Sequence, residues 1–330
     1  MKNPPFVVIT TIFKPTEAIR QLVKLEKYKV IVVGDLKTPS GWSFDGVVYL
    51  SPERQKSMDF NIIKGLPWNH YSRKMIGYLY AIKMGAESII DIDDDTIPYS
   101  RWGCVPTGKY RLAKSPGAFN VYRAFSKEMI WPRGFPLEAI LKKNKKPLKR
   151  DGLAKNSVPV WQFLINGDTD VDAIYRLTKN KHVYFRKDDP VVLSPGTYCP
   201  FNSQNTFFSK ETFPLMYLPA FVNFRFTDIL RGLVAQPIMW ADNYQLGFTP
   251  PTAKQKRNPH NYLEDFESEI PCYLQTTKII NLISDNTRKG ETISENLLRA
   301  YKELGKNGVV EKRELFLLQS WLKDLEKLKK

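Results

Sequence analysis

Four carboxylates lie within five consecutive residues in the first third of the chain. They are Asp91, Asp93, Asp94 and Asp95, and they follow a β-branched run that predicts a buried strand. Because like charges repel, a folded protein keeps such a group together when a cation or basic side chains compensate it. Carboxylate oxygens suit Mg²⁺ or Mn²⁺, and such a metal stabilises the leaving diphosphate when a nucleotide sugar is cleaved. The alternative is an acidic surface turn.

Two adjacent cations, Arg73 and Lys74, stand in the first turn of a helix predicted over residues 70–85. The helix dipole already presents positive potential at that end, which disfavours cations. Their presence therefore indicates an anion bound at this point, such as a diphosphate. The alternative is a pair of exposed basic side chains.

Polar residues also follow two other predicted strands. Thr10 and Thr11 come at the end of the first strand, and Asp35 and Lys37 follow the second. These are the positions where a nucleotide base and ribose lie in nucleotide-binding sheets. Asp35 can accept from a ribose hydroxyl or from a base N–H.

The elements that must position these groups alternate between strand and helix. Short apolar runs at residues 6–12, 30–34, 46–50 and 88–92 predict buried parallel strands. This alternation is typical of a doubly wound α/β fold, whose ligands bind beyond the carboxyl ends of the strands. Near the end of the chain, leucines at helical spacing over residues 315–328 predict an amphipathic helix that packs on the main domain. Dimerisation or membrane-surface binding is the alternative.

The composition favours an anionic partner. Fifty Lys and Arg against 34 Asp and Glu give a formal net charge of +16, which suits a nucleotide, an anionic membrane surface or nucleic acid. No zinc-finger, basic-zipper or RNP-type signature supports specific nucleic-acid binding. The basic run over residues 142–150 reads as an exposed loop. Three cysteines and the lack of a long apolar run predict a reduced, cytosolic protein, with peripheral membrane association as an alternative.

Several ordered segments resemble one protein family. The segments VVGDLKTP, LPWNHYSRKMIGYLYAIKMGA, DIDDDTIP and WPRGFPL are similar to those of the STELLO-like glycosyltransferases. They are more distantly similar to those of the reversibly glycosylated polypeptides, which act as UDP-arabinopyranose mutases. The likeness continues through VPVWQFLINGDTDVDAIYRLT, LPAFVNFRFTDILRGLVAQ and QKRNPHNYLEDFESEIPCY.

The resemblance implies a GT-A-type, Rossmann-like fold over residues 1–275, followed by a helical C-terminal extension over residues 276–330. It also implies a nucleotide-sugar donor, with UDP favoured over GDP. A divalent metal, Mn²⁺ or Mg²⁺, would bind at Asp93 and Asp95, with Asp94 beside the donor.

Three later carboxylates are candidates for catalysis. Asp170 and Asp172 match the distant family's motif and would position acceptor hydroxyls or the donor sugar. Their alternative is a turn that caps a helix beginning near Ala173. Asp228 stands at a predicted helix start and is the first choice for the general base that removes the acceptor proton. Its alternative is an N-cap role.

Basic residues complete the predicted site. The segment with Lys256, Arg257 and His260 resembles the late basic loop that GT-A enzymes bring to the diphosphate, with His260 as a metal ligand or a structural residue. Arg133 matches the region of the self-glycosylated arginine in the distant family. It would alternatively hold phosphate or a structural carboxylate.

The sequence therefore predicts glycosyl transfer to a hydroxyl of a glycan, glycolipid or protein. A UDP-sugar mutase or self-glycosylating protein is the second hypothesis. An inert basic module that binds nucleic acid or lipid is the third.

Overall fold

The chain forms a mixed α/β structure around one large sheet in a computed structural model that describes residues 4–153, 157–256 and 261–329. The strands are β1 (Phe6–Thr10), β2 (Lys29–Val33), β3 (Val47–Leu50), β4 (Ser88–Ile92), β5 (Thr96–Pro98), β6 (Tyr110–Ala113), β7 (Gly117–Ala118), β8 (Leu148–Arg150), β9 (Val160–Gly167), β10 (Val191–Leu193), β11 (Thr197–Tyr198), β12 (Asn205–Ser209) and β13 (Leu246–Gln255).

The helices lie between and after these strands. They are α1 (Glu17–Lys24), α2 (Pro52–Lys56), α3 (Lys74–Lys83), α4 (Val121–Phe125), α5 (Ala173–Thr178), α6 (Thr227–Ala241), α7 (Tyr262–Asn286), α8 (Ile293–Lys306) and α9 (Lys312–Lys329). Short 3₁₀ helices cover Asn61–Lys64, Tyr71–Arg73, Leu137–Ala139, Lys210–Met216 and Phe224–Phe226.

The first four long strands form the parallel part of the sheet, in the order β3-β2-β1-β4. Their residues are buried on both faces: Val8 and Ile31 face one apolar cluster, and Val7 and Val32 face the other. Strands covered on both faces read as continuous apolar runs, which is how they were predicted. The doubly wound α/β prediction is confirmed for this half of the sheet.

The sheet continues beyond β4 with mixed strand directions. Next to β4, strand β12 is antiparallel and pairs with β9, and β9 is parallel to β13. Beyond β13 lie β10, β6 and the edge strand β8. The carboxyl ends of β1, β2 and β4 nevertheless remain side by side, so the residues that follow them are brought together.

Helix α3 lies close against the parallel strands because Gly77 carries no side chain. A Cβ atom at this position would lie 2.5 Å from Val8 Cγ1 and 2.7 Å from Val33 Cγ2. Such contacts are too short for any larger residue without movement of the sheet. The close approach fixes the start of α3 beneath the ends of β1 and β4.

The C-terminal helices pack on the α/β part. Leu318 and Trp321 of α9 are fully buried, and Trp321 Nε1 donates to the carbonyl oxygen of Pro214. The predicted boundary after residue 275 falls inside α7, which is one continuous helix. This helix contacts α5 and α6 as well as α8. Within the described ranges, no helix is long and apolar enough to cross a membrane.

Two buried carboxylates of α9 hold segments that lead to the sheet edge. Asp324 accepts from the backbone N–H groups of Asn61 and Ile62 at 2.7 and 2.9 Å. Glu314 accepts from the N–H groups of Ala220 and Phe221. The terminal helix therefore anchors the segments that precede the 3₁₀ helices Tyr71–Arg73 and Phe224–Phe226.

Candidate active site

A cleft of about 570 Å³ opens at the carboxyl ends of β1, β2 and β4. Its size lies within the range typical of small-molecule sites. It is lined by Thr10, Thr11, Ile12, Phe13, Asp35, Lys37, Asn69, His70, Tyr71, Asp93, Asp94, Asp95, Arg133, Ser203, Phe224, Arg225, Asp228 and Gln255. Several predicted site residues from separate parts of the sequence are thus brought together.

The first carboxylate of the acidic run does not reach this cleft. Asp91 is fully buried within β4, with Lys74 Nζ 2.8 Å from one oxygen and Arg231 Nη1 2.8 Å from the other. Burial alone would lower the pKa of Lys74, but Asp91 and Asp93 raise it above its ordinary value. Asp91 is therefore compensated inside the protein by two basic side chains.

The next three carboxylates line the cleft. Lys74 Nζ lies 3.0 Å from Asp93 Oδ1, yet the Asp93 side chain remains 40% exposed. Thr11 Oγ1 donates to Asp94 Oδ2 at 2.5 Å, and Gln255 Nε2 donates to Asp95 Oδ2 at 2.9 Å. These contacts fix the three side chains around the end of β4.

The charged forms of two of these carboxylates are disfavoured. Burial raises the pKa of Asp93 to about 6, where Lys74 opposes the shift and Asp95 reinforces it. Burial also raises the pKa of Asp94 to about 6, against the hydrogen bond from Thr11. A cation bound beside them would favour the ionised forms.

The divalent cation at Asp93 and Asp95 stays a prediction, and the chemistry of the two side chains is compatible with it. Among the described residues, no three His, Cys, Asp or Glu side chains form a ready-made ligand group. Mg²⁺ in nucleotide sites needs only one or two protein carboxylates, because phosphate oxygens and water complete its shell. Asp93 and Asp95 can supply that pair in the cleft.

The basic pair at the start of α3 differs from the prediction. Arg73 is buried and donates to Gln55 Oε1 at 2.6 Å and to the carbonyl oxygen of Leu66 at 3.2 Å. Its guanidinium lies 3.3 Å from the ring centre of Trp68. Neither Arg73 nor Lys74 lines the cleft, because each points inward to acceptors of the protein itself. Their position at the helix start reflects these internal acceptors.

The residues predicted beside the nucleoside do line the cleft. The Asp35 carboxylate accepts from the backbone N–H groups of Asn69 and His70 at 2.8 and 3.2 Å. These bonds hold the loop before α3 against the end of β2. Thr10 and Thr11 lie beside it, and Lys37 is an exposed cation at the same edge.

Arg133 is held between two of the candidate catalytic carboxylates. Its Nε donates to Asp170 Oδ1 at 2.9 Å and its Nη2 to Asp170 Oδ2 at 2.8 Å. Nη1 and Nη2 each lie 3.0 Å from an oxygen of Asp228. With Nη1 also donating to the carbonyl oxygen of Arg225, the guanidinium donors are satisfied within the protein. These contacts match the predicted alternative in which Arg133 pairs with carboxylates of the protein itself.

Asp228 lines the cleft but does not cap a helix. It is the second residue of α6, whose N-cap position is Phe226. Besides Arg133, the carboxylate accepts from Ser203 N–H at 3.2 Å and from Tyr71 Oη at 3.3 Å. Burial would raise the pKa of Asp228, but Arg133 lowers it below the usual value. The group is therefore ionised at neutral pH.

The other two candidate carboxylates lie behind the cleft wall. Asp172 is the N-cap of α5, accepting from Tyr175 N–H at 2.9 Å and from Trp131 Nε1 at 2.6 Å. Asp172 therefore takes the predicted alternative role, in which it caps a helix. Asp170 is buried against Arg133 and accepts from Asn202 Nδ2 at 2.7 Å.

An aromatic wall, formed by His70, Tyr71 and Phe224, was not foreseen as part of the site. The rings of His70 and Tyr71 stack at 5.4 Å with an angle of 10°, and Phe224 meets Tyr71 edge-on at 4.8 Å. Phe224 is 53% exposed. The predicted site consisted almost entirely of charged residues. In the sequence, this wall is indicated only by the His-Tyr pair directly before the first turn of a helix at the sheet edge.

The late basic loop is only partly described. Lys256 follows β13 as an exposed residue and does not line the cleft. Arg257 and His260 lie outside the described residues. Gln255, which precedes this loop, is a cleft residue that the sequence reasoning missed.

Comparisons with known proteins agree with the motif resemblance. A family model of the STELLO glycosyltransferases matches residues 225–330. "Probable glycosyltransferase STELLO1" of Arabidopsis thaliana is 27% identical over 342 aligned residues, covering 97% of this chain and 44% of that protein. "Probable glycosyltransferase STELLO2" of the same plant is 26% identical, covering 98% and 45%. The chain thus spans less than half the length of these relatives. The predicted resemblance to the STELLO-like glycosyltransferases is confirmed.

Proposed function

We propose that this STELLO-like chain is a glycosyltransferase that takes a sugar from a nucleotide diphosphate donor, preferably a UDP-sugar. The observation that carries the proposal is the meeting of Asp93, Asp94 and Asp95 with Thr11 and Asp35 in one cleft at the sheet edge. This edge is where ligands bind in open α/β sheets. The similarity to two probable glycosyltransferases over nearly the whole chain supports the same activity.

Asp93 and Asp95 would hold Mn²⁺ or Mg²⁺, and His260 remains a predicted further ligand. When bound, the ion would offset the negative charge that develops on the leaving diphosphate. Lys37 is the exposed cation that can approach the same phosphates.

The nucleoside would lie between the end of β2 and the aromatic wall. Thr10, Thr11 and Asp35 offer polar groups on one side, and the exposed ring of Phe224 offers an apolar face on the other. A planar base gains from such a surface, because stacking on aromatic side chains is favourable for every base.

Asp228 is the proposed general base. Of the three candidate carboxylates it alone lines the cleft, and its ionised state allows it to accept a proton from an acceptor hydroxyl. The hydrogen bonds from Arg133 oppose this role. Each carboxylate oxygen of Asp228 already accepts one of these bonds, so a proton taken from the acceptor hydroxyl would have to displace it. The acceptor itself is a hydroxyl of a glycan, glycolipid or protein.

Calorimetry with UDP-glucose, with and without Mn²⁺, tests the proposal. We expect binding to tighten by at least tenfold with Mn²⁺, since the metal joins the carboxylates to the diphosphate. GDP-mannose in the same titration tests the preference for UDP. Equal affinity with and without metal would remove the acidic run from the donor site.

A coupled measurement of released UDP separates the two enzymatic hypotheses. A glycosyltransferase releases UDP as sugar is transferred to an acceptor or to water, whereas a mutase returns a nucleotide sugar with an altered ring. Self-glycosylation at Arg133 would require this side chain to leave both of its carboxylates. An inert basic module would show no metal-dependent nucleotide binding and a steep dependence on salt.

A further inference from the structure

A second cavity, of about 450 Å³, lies at the β6 and β8 edge of the sheet and is strongly basic. Six of its lining residues are cationic and Asp188 is its single lining carboxylate among the described residues. The cationic residues, here called the basic pocket, are Arg111, Arg123, Lys145, Lys146, Lys149 and Arg186. They come from β6, α4, β8 and the segments before β8 and β10. None of them lines the donor cleft.

The strand pairing brings two of these cations directly opposite each other. The basic run over residues 142–150 was predicted as an exposed loop, but its end forms β8 and pairs with β6. In this register Arg111 is the cross-strand partner of Lys149. Like charges directly opposite on neighbouring strands are destabilising. A compensating anion between them would remove that cost.

Arg111 lines the pocket, and its charge is only partly compensated within the protein. Its Nη1 lies 3.0 Å from Asp188 Oδ2, and its Nε donates to the carbonyl oxygen of Asp189 at 3.0 Å. Its Nη2 is buried and makes no hydrogen bond with a described residue. The pKa of Arg111 lies below its ordinary value, mainly because burial disfavours the charged form. Asp188 and Asp189 oppose this shift, and Arg186 adds to it. A second anion beside Arg111 would favour the charged guanidinium.

We propose that the basic pocket binds a phosphate group, carried either by a free phosphorylated molecule or by a lipid headgroup. A phosphate group presents three acceptor oxygens and close to two negative charges at neutral pH. Arginine donates to such a group in a bidentate manner, and lysine adds point charges around it. The volume of the pocket accommodates more than one phosphate. This site is separate from the donor cleft and does not depend on the proposed glycosyl transfer.

Titration calorimetry of the full chain with inorganic pyrophosphate in EDTA tests the site without metal-dependent binding at the cleft. The pocket variant carries Lys149→Gln and Arg186→Gln, both exposed residues. The control carries Lys142→Gln and Lys143→Gln, which remove the same amount of charge at two exposed residues outside the pocket. Thermal unfolding checks that each variant is folded, and Arg186→Gln alone replaces the double variant if that pair does not fold.

We expect the pocket variant to bind pyrophosphate roughly tenfold or more weakly and the control to change by less than about twofold, since only the first loses direct donors. Equal weakening in both variants would show a net-charge effect and overturn the proposal, as would no binding by the unaltered chain. Flotation with phosphatidylcholine vesicles, with and without phosphatidylinositol 4-phosphate, identifies the source. Pocket-dependent flotation indicates a lipid headgroup, and pyrophosphate binding without flotation indicates a free phosphorylated molecule.

Discussion

Replacement of Asp228 by Asn separates proton transfer from the positioning of Arg133. In the unaltered chain Asp228 accepts two bonds of 3.0 Å from Arg133 and one from the N–H of Ser203. The asparagine side chain keeps one acceptor oxygen, but it places an NH₂ group where the second carboxylate oxygen accepts a hydrogen bond. At least one charge-assisted bond is lost, so we expect the free energy of unfolding to fall by about 2 to 3 kcal/mol. Arg133 retains Asp170, which limits the loss.

Asp170→Asn is the matched control, because it removes the other carboxylate of the same guanidinium and lies outside the cleft lining. If Asp228 is the base, Asp228→Asn lowers kcat by about 10²- to 10⁴-fold, whereas Asp170→Asn lowers it by less than about tenfold. Metal-dependent release of UDP from UDP-glucose, with calorimetry for donor affinity, measures both. Equal losses of turnover in the two variants would refute the base and assign Asp228 to holding Arg133.

Three further substitutions have expected outcomes. Asp95→Ala should weaken Mn²⁺-dependent binding of UDP-glucose by at least about tenfold with stability within about 1 kcal/mol, whereas the exposed Asp45→Ala should leave the calorimetric affinity unchanged. Lys74→Met should lower the free energy of unfolding by about 3 kcal/mol in urea titrations, because it removes one of the two cations that pair with the buried Asp91 and the cation beside Asp93; unchanged stability would contradict the internal role of this lysine. Burial lowers the pKa of His70 to about 4, against an opposing effect of Asp35, so at this residue the unfolded chain binds more protons between about pH 4 and 6.5, and the contribution of His70 to stability falls as the pH falls through that window. Asp93 and Asp94, whose pKa values are raised to about 6, act in the opposite direction, so the measurement is the difference between the unaltered chain and His70→Asn in urea unfolding at pH 7 and pH 5. His70→Asn should lose less stability, or gain more, than the unaltered chain between pH 7 and pH 5, and the same change in both proteins would show that His70 does not titrate this way.

The position of the cleft could be predicted from local patterns. The strands β1, β2 and β4 are continuous apolar runs, and α3 shows helical spacing up to Gly85. In parallel strands the carboxyl ends share one edge, so the sequence predicts that Thr11, Asp35 and Asp93 lie close together. Residues 100–220 were harder, because β6, β7, β8, β10 and β11 span only two to four residues each. Such short runs carry too little periodicity to identify.

The environment of each charged residue could not be predicted in the same way. Arg133 looked like a ligand-binding or modified arginine, yet its partners Asp170 and Asp228 lie 37 and 95 residues further along the chain. Such pairings depend on tertiary packing, which no local pattern contains. The aromatic wall was not predicted for a different reason. His70, Tyr71 and Phe224 do not form a group of charged residues in the sequence, although their rings make up one side of the cleft.

The acidic run shows how strand geometry divides identical residues between stability and function. Side chains alternate across a strand, so Asp91 projects to the same face of β4 as Ile89, which lies in the apolar cluster shared with α3 and α6. A carboxylate on a face covered by helices must be neutralised by those helices, and Lys74 and Arg231 do so. Asp93, Asp94 and Asp95 come after the last residue of β4, where the cleft begins. Their side chains line the cleft and that of Asp91 does not, which is the physical reason to propose Asp93 and Asp95, and not Asp91, as the metal ligands.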